Sequence, residues 1–193
     1  MEINITSVRL AAARIKRYHT GMIIGEQSVG EHTYGVVQIL RHVMNDNLHI
    51  DWLKAALDHD IMEYFTGDVP HPAKVLFPFL DEAVDTAEGD IAYKLGLCNN
   101  ELPLRGKVIL KVCDLLEMGF YGLHQAELGN VYGLAVMEQV FLAITKLNEK
   151  HSDIIPERAK ALWVELEQYF VTQKYSRNTR PHLRPLQDGR DHQ

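Results

Sequence analysis

Residues 55–64 read Ala-Ala-Leu-Asp-His-Asp-Ile-Met-Glu-Tyr, and their apolar residues are spaced as on a half-buried helix. An imidazole and a carboxylate stand next to each other in this stretch, at His59 and Asp60. Neighbouring helical residues point about 100° apart, so this pair binds one metal ion only if other segments supply further ligands. The natural candidates are His32, in a Glu-His pair upstream, and Asp114, in a Cys-Asp pair downstream. The stretch therefore predicts a metal site assembled from three helices.

Helical periodicity runs through most of the chain, and no segment shows the sustained alternation of a strand between hairpin turns. Ser28-Val29-Gly30-Glu31 is a capping-box pattern that opens one helix and places His32 in its first turn. The fold class that we predict is all-α, a compact bundle of about seven helices. One helix begins at Ser28, and the others are expected over residues 7–17, 52–65, 79–95, 104–124, 131–150 and 156–170.

The chain length of 193 residues suits one compact domain, and 46% hydrophobic with 24% charged residues is ordinary for a soluble globular fold. We assign that domain to residues 1–173. Residues 174–193 are polar and basic, and we interpret them as an extended or partly disordered tail. The two cysteines, Cys98 and Cys113, stand in apolar surroundings without the spacing of a thiolate metal site, so we expect plain buried thiols.

Composition also argues against several classes of partner. No apolar stretch approaches the roughly 20 residues that cross a bilayer, and the start of the chain lacks the layout of a secretion signal. A formal charge of −6 argues against a general nucleic-acid binder. We therefore expect a cytoplasmic protein that acts on a small molecule, and local cations still allow that molecule to be an anion.

The candidate ligands His32, His59, Asp60 and Asp114 offer two imidazole nitrogens and two carboxylates. Such a set suits a divalent ion, whether Mn, Co, Fe, Zn, Ni or Mg, and leaves coordination positions for water or a phosphate oxygen. Open positions indicate a catalytic ion, and the expected chemistry is hydrolysis of a phosphate ester or anhydride. Each residue alone has an ordinary structural explanation, but charged groups inside apolar helices are costly unless they are paired.

Glu63, Asp68 and Lys74 follow the His-Asp pair in the sequence, and each has a candidate role at this site. Glu63 lies four residues after His59, hence on the same helix face, and is a candidate general acid or base; the alternative is a solvated helix acid. Asp68 is interpreted as orienting a ligand histidine or the following loop, unless it only serves the Thr-Gly-Asp turn. Lys74 is a candidate phosphate contact, with a solvated lysine as the alternative.

Cations and an aromatic residue are concentrated just before residues 21–27, where the helical pattern is interrupted ahead of His32. Arg17 is suited to bind a phosphate through two hydrogen bonds, and Tyr18 to pack on a base or sugar. The alternative is a helix end whose basic residues complement the helix dipole.

These residues resemble a known group, the HD-domain phosphohydrolases, through Glu31-His32, then His59-Asp60, then Asp114. Residues 59–74 are more similar still to one branch of it. They match the pattern H-D-x-x-E-x-x-T-G-D-x-P-x-P-x-K of the compact 5′-deoxynucleotidases.

Two further segments, residues 17–20 and 27–32, are similar to those of bacteriophage dATP triphosphohydrolases. The resemblance, over about residues 7–170, implies an all-helical HD-domain fold and a likeness to homo-oligomeric enzymes. It implies metal ligands at the four candidate positions and Glu63 as the catalytic acid or base, with Arg17, Asp68 and Lys74 near the nucleotide. We assign Glu63 and Asp68 to catalysis and Arg17, Tyr18 and Lys74 to substrate binding.

The function that we infer is metal-dependent hydrolysis of a deoxynucleotide, with conversion of dATP into deoxyadenosine and triphosphate as the first hypothesis. A 5′-deoxynucleotidase that releases phosphate from deoxynucleoside monophosphates is the alternative enzyme. A third hypothesis is an HD-fold nucleotide sensor without turnover. The intact ligand set together with Glu63 argues against the sensor, because a binding module has no need of a general acid.

Overall fold

The computed structural model of the chain describes residues 4–97 and 102–178, with side chains to Lys174. Within these residues the fold is almost entirely helical, as predicted, with a single two-stranded ribbon. The α-helices are α1 (Ile5–Ala12), α2 (Val29–Met44), α3 (Ile50–Asp58), α4 (Glu63–Thr66), α5 (His71–Leu76), α6 (Pro78–Leu95), α7 (Leu104–Glu127), α8 (Tyr132–His151) and α9 (Glu157–Asn178). The strands are β1 (Lys16–Arg17) and β2 (Gln27–Ser28), and a short 3-10 helix covers Asn45–Asn47.

Helix α7 forms the centre of the domain and packs against α2, α8 and α9. Its neighbours α2, α8 and α9 each contribute a fully buried apolar side chain to the same core, at Leu40, Met137 and Leu166. Burying each such side chain stabilises the fold by about 1.5–3 kcal/mol. Helix α7 approaches α8 closely at Gly133, where a Cβ would lie 2.2 Å from the carbonyl oxygen of Gly122. The core thus fixes the helix that carries Asp114.

The first predicted helix, over residues 7–17, is wrong in its second half. Helix α1 ends at Ala12, and Lys16–Arg17 instead pairs antiparallel with Gln27–Ser28. The backbone amide of Val29 also bonds to the carbonyl of Ile15 at 2.8 Å, which extends the contact between the two segments. The ribbon therefore brings Arg17 close to the start of α2 at Val29. The buried His32 follows three residues later in the same helix.

The helix predicted over residues 52–65 is also interrupted, directly at the His-Asp pair. Helix α3 ends at Asp58, residues 59–62 form turns, and α4 begins at Glu63. In a continuous helix the carbonyl of Ala56 would accept from the amide of Asp60. Here that carbonyl accepts from His59 Nδ1 at 2.8 Å, so the side chain replaces a helical bond and the helix stops.

Three smaller predictions concern the cysteines, the C-terminal tail and membrane-spanning helices. Cys113 is buried, as expected, and Cys98 lies outside the described residues. Helix α9 continues to Asn178, so the first residues of the predicted tail, 174–178, are helical; the rest of the tail lies outside the described residues. Among the described helices, none is long and apolar enough to cross a bilayer.

The predicted capping box at the start of α2 is confirmed. Ser28 Oγ accepts from the amide of Glu31 at 3.2 Å, and Glu31 Oε2 accepts from the amide of Ser28 at 2.7 Å. Both bonds satisfy amides that the helix itself leaves without partners. The box therefore fixes where α2 begins, and with it the position of His32 in the first turn.

We expect Ser28→Ala to lower the free energy of unfolding by about 1 kcal/mol, because the N-cap hydrogen bond is lost. Urea unfolding followed by circular dichroism measures this difference. The matched control is Ser7→Ala on an exposed position of α1. Equal midpoints for the two variants would contradict the capping role.

Candidate functional site

All four predicted metal ligands lie together where α2, α7 and the turn after α3 meet. Ligand atoms of His32, His59 and Asp114 lie within 4.8 Å of one another. The carboxylate of Asp60 lies beside both imidazoles, with Oδ2 at 3.5 Å from His32 Nε2 and 3.3 Å from His59 Nε2. Asp114 Oδ1 is 3.2 Å from His32 Nε2. Segments far apart in sequence thus bring two imidazole nitrogens and the carboxylate of Asp114 together, with Asp60 beside the imidazoles.

The outer nitrogens of both imidazoles have defined partners. His32 Nδ1 is bonded to the carboxylate of Glu117, and His59 Nδ1 to the backbone carbonyl of Ala56 at 2.8 Å. A carboxylate and a carbonyl are acceptors, so both Nδ1 atoms donate. In neutral rings both Nε2 atoms are then acceptors, and they face each other at 3.2 Å. Two acceptors at this distance repel unless a cation lies between them.

This arrangement fits a divalent metal ion. Metal-ligating histidines almost always donate their other ring nitrogen to a carboxylate or a carbonyl, as His32 and His59 do here. Nitrogens that bind one ion at about 2.0–2.1 Å are separated by roughly 3 Å, close to the observed Nε2 spacing. The mixed nitrogen and oxygen donors suit a borderline transition ion.

The electrostatics around these ligands also favour a cation. Burial would raise the pKa of Asp114, yet Lys111, His32 and His59 hold it well below its usual range. Lys111 Nζ donates to Asp114 Oδ2 at 2.8 Å. Burial would lower the pKa of His32, but its bonds to Asp114 and Glu117 raise it to about 9. The carboxylates therefore favour positive charge at Nε2 of His32. A metal ion and a proton compete for this nitrogen.

The predicted substrate-binding residues Arg17 and Tyr18 lie next to this group. Arg17 Nη1 is 3.9 Å from Asp60 Oδ2, and the guanidinium is mostly buried. The ring of Tyr18 stacks on Tyr121 of α7, with centroids 5.0 Å apart and planes 15° apart. Tyr18 has a φ of 55°, a conformation that non-glycine residues seldom adopt, and its amide donates to Asp68 Oδ2 at 3.2 Å.

Asp68 thus contacts the segment that carries Arg17 and Tyr18. His19 also lies near it, with Nδ1 at 3.7 Å from Asp68 Oδ2. These contacts agree with the loop-orienting interpretation of Asp68, and they link the Thr-Gly-Asp turn after α4 to the ribbon. Gly67, with a φ of 72°, ends α4 directly before Asp68.

Glu63, the candidate acid or base, begins α4 directly after the turn that carries the His-Asp pair. Burial raises the pKa of its carboxyl to about 8, and the carboxylates of Asp60 and Asp68 add to this effect. Its Oε2 atom is buried without a hydrogen-bond partner. A carboxyl group that holds its proton near neutral pH is equipped to donate it.

Lys74 stands further from the ligands than Arg17 does. On α5 its ammonium is 3.7 Å from Asp81 Oδ1 of α6. It also acts on Glu88, whose pKa is raised by burial and by Asp60 and lowered by Lys74. The structure therefore connects Lys74 to the site through carboxylates, and its contact with a phosphate stays a prediction.

Comparison with solved structures identifies the architecture. Over 91% of this chain and 99% of the other, the fold matches the cyanophage S-2L HD phosphohydrolase DatZ, whose structure holds dA and one catalytic Zn²⁺ ion, with a TM-score of 0.58 and 21% identity. This chain has the HD-domain fold. A Pyrococcus horikoshii protein also matches over 86% of this chain and 96% of its own, with a TM-score of 0.60 and 19% identity. Neither a family model nor a curated protein sequence matches.

Within this HD-domain fold, sequence reasoning missed Glu117, which holds His32. Glu117 Oε1 accepts from Gln27 Nε2 at 2.8 Å, while Oε2 bonds to His32 Nδ1. Gly35 makes room for it, because a Cβ there would lie 2.6 Å from Glu117 Cγ. The signal was present: Asp114 and Glu117 are two acids three residues apart in the otherwise apolar stretch 112–123, hence on the same face of the helix.

We expect Glu117→Gln to weaken the affinity for Zn²⁺ or Co²⁺ by about 10–100-fold, because the negative charge that increases the basicity of His32 is lost and one acceptor oxygen remains for both His32 and Gln27. Isothermal titration calorimetry of the metal-free protein measures this. Glu127→Gln, an exposed change on the same helix, is the control and should bind as the unchanged protein does. Equal affinities for both variants would contradict the orienting role of Glu117.

Proposed function

We propose that this chain is a metal-dependent deoxynucleotide phosphohydrolase that converts dATP into deoxyadenosine and triphosphate. The observation that carries the proposal is the pair of Nε2 atoms that face each other beside two carboxylates, while both Nδ1 atoms are already bonded to other acceptors. Further support comes from the fold shared with DatZ, which binds dA and Zn²⁺. We also infer a cytoplasmic homo-oligomer, in the host cytoplasm if the chain is phage-encoded.

His32, His59, Asp60 and Asp114 would hold the ion, which we propose to be one of Zn, Co, Mn, Fe, Ni or Mg. When bound, a divalent ion supplies Lewis acidity that polarises a phosphoryl oxygen and makes water a better nucleophile. The second imidazole nitrogens, bonded to Glu117 and to a backbone carbonyl, keep both rings in the orientation that this requires.

Unsatisfied polar atoms beside the ligands support a polar substrate. Six side-chain atoms among the described residues are buried without a hydrogen-bond partner, and four of them belong to this region: Arg17 Nη1, Tyr18 Oη, Gln27 Oε1 and Glu63 Oε2. The other two, Asn148 Oδ1 and Trp163 Nε1, lie on α8 and α9. Buried polar atoms in folded proteins are nearly always bonded, so a cluster of such atoms indicates groups that a ligand satisfies. Donors and acceptors are thus both present, which matches a molecule that carries phosphate oxygens together with hydroxyl or amino groups.

In the proposed reaction, water adds to the α-phosphorus and the bond from phosphorus to the 5′-oxygen of deoxyribose breaks. Arg17 neutralises charge on the phosphate oxygens, a role suited to a guanidinium that faces the ligand Asp60. Glu63 transfers its proton to the departing 5′-oxygen, because burial and neighbouring carboxylates keep that proton on the group near neutral pH. The proton that the attacking water gives up then restores the carboxyl group of Glu63. Asp68 keeps the Arg17–Tyr18 segment in place.

A first experiment tests the activity directly. The purified protein is incubated with Co²⁺ or Mn²⁺ and, separately, dATP, dGTP, dAMP, dGMP and ATP, and products are resolved by chromatography. We expect deoxyadenosine and intact triphosphate from dATP. Orthophosphate from the monophosphates alone would replace the proposal by the 5′-deoxynucleotidase alternative, and no turnover with either metal would replace it by the sensor.

We expect Glu63→Gln to lower kcat by about 10²–10⁴-fold while leaving bound metal unchanged, because the variant keeps the shape but has no transferable proton. Steady-state kinetics with metal analysis of the same samples measures both quantities. Glu82→Gln, an exposed substitution on α6, serves as the control. Turnover equal to that of this control would remove Glu63 from the proposed mechanism.

A further inference from the structure

The loop of residues 18–26 joins β1 to β2 and is anchored at both ends by residues of the site. At its start, Tyr18 stacks on Tyr121 and is bonded to Asp68. Just beyond its end, Gln27 donates to Glu117, the residue that holds His32. Any shift of this loop therefore acts on the segment that carries Arg17.

Two amide side chains hold the middle of the loop through its backbone. Gln125, at 2% exposure, accepts from the amide of Ile24 at 2.8 Å and donates to the carbonyl of the same residue at 2.9 Å. Asn130 Nδ2 donates to the carbonyl of Met22 at 2.7 Å and to Gln125 Oε1 at 2.9 Å. We call Gln125 and Asn130 the amide clamp. It imitates one step of a strand ladder.

The side chains of the clamped residues face outward. Met22 is 81% exposed and Ile24 is 49% exposed, so apolar burial by these two side chains contributes little to holding the loop. Beneath them, the ring of Tyr132 lies against Gly21, where a Cβ would be 3.2 Å from the ring. A fully buried glutamine is thus used to fix an exposed segment beside the proposed substrate site.

The clamp belongs to the same face of α7 as the site. Asp114, Glu117, Tyr121 and Gln125 follow one another at steps of three or four residues, which lie in line along a helix. In order, they contact His32, again His32, Tyr18 and the loop backbone. One rigid element therefore positions the proposed metal ligands and the loop together.

We propose that Gln125 and Asn130 are positioning residues that set the affinity for the deoxynucleotide by holding the 18–26 loop in its binding conformation. The inference rests on the proposed function. Ordering a free loop costs conformational entropy, and a loop that is already held does not incur this cost when substrate binds. Releasing the clamp should therefore raise KM and leave kcat unchanged, because the contacts of Tyr18 and Gln27 still hold the two loop ends, and with them Arg17 and the metal ligands.

The variant Asn130→Asp tests this, because it replaces the donor to both Met22 and Gln125 with a carboxylate oxygen. Its Oδ1 still accepts from the amide of Tyr132 at the start of α8, as Asn130 Oδ1 does at 3.1 Å, but the donor to Met22 is removed. Gln125→Met is the second variant, since methionine is of similar length and forms helices well. Gln168→Met, on an exposed position of α9, is the matched control.

Three measurements are made on the metal-loaded full chain: KM and kcat for dATP, thermal unfolding, and hydrogen exchange of the loop amides. We expect KM to rise about three- to tenfold in Asn130→Asp, as loss of one or two hydrogen bonds predicts. Exchange at the amide of Ile24 should quicken, with kcat and the unfolding temperature close to those of the control.

Faster exchange with an unchanged KM would overturn the inference while leaving the proposed function standing. Unchanged exchange in both variants would overturn it as well, since the clamp would then not hold the loop. A fall in kcat without a change in KM would also contradict it. Absence of turnover by the unsubstituted chain is a separate result, which overturns the proposed function and this inference with it.

Discussion

A buried hydrogen bond joins His32 Nδ1 to the carboxylate of Glu117, and through it α2 and α7 are coupled at the centre of the site. The bond fixes the rotation of a ring that is fully buried, and so decides where its Nε2 atom points. Glu117 keeps its second oxygen satisfied by Gln27, which avoids the penalty of an unpaired buried acceptor. Gly35 supplies the space. The direction of Nε2 toward His59 follows from these contacts.

The acidic side chains of the site outnumber the lysine and arginine side chains beside them. Asp60, Asp114 and Glu117 converge on the imidazoles, and the nearby cations Arg17 and Lys111 do not match them in number. A nucleotide brings further negative charge, which this site would repel at close range. A divalent ion reverses that sign locally, and the formal charge of −6 on the whole chain is then no obstacle to a phosphate substrate.

Sequence reasoning predicted the fold and named four residues that the structure brings together, because both depend on pattern. Apolar periodicity predicts helices, and acids or histidines inside such helices indicate a site. It failed where a side chain competes with the backbone: His59 takes the carbonyl of Ala56, and the helix ends where periodicity predicted that it would continue.

The ribbon and the amide clamp were missed for a related reason. Strands of two residues carry no alternation to detect, and Gln125 bonds to Ile24 across 101 residues of sequence. Glu117 was predictable only in part. Its spacing from Asp114 indicates that both acids lie on one helix face, but only the packing of the helices shows that Glu117 meets His32. Local patterns predict which face of a helix is polar. Only the assembled core decides what that face meets.

Asp114, Glu117, Tyr121 and Gln125 lie in line along α7, so the length and rotation of this helix set the spacing between the parts of the site. Inserting one residue between the first and last of them would rotate everything beyond the insertion by about 100° and shift it by about 1.5 Å. The ring stack and the loop contact would then leave the site together. Change along this helix is therefore restricted to substitutions at constant length, whereas loops can absorb insertions at small entropic cost.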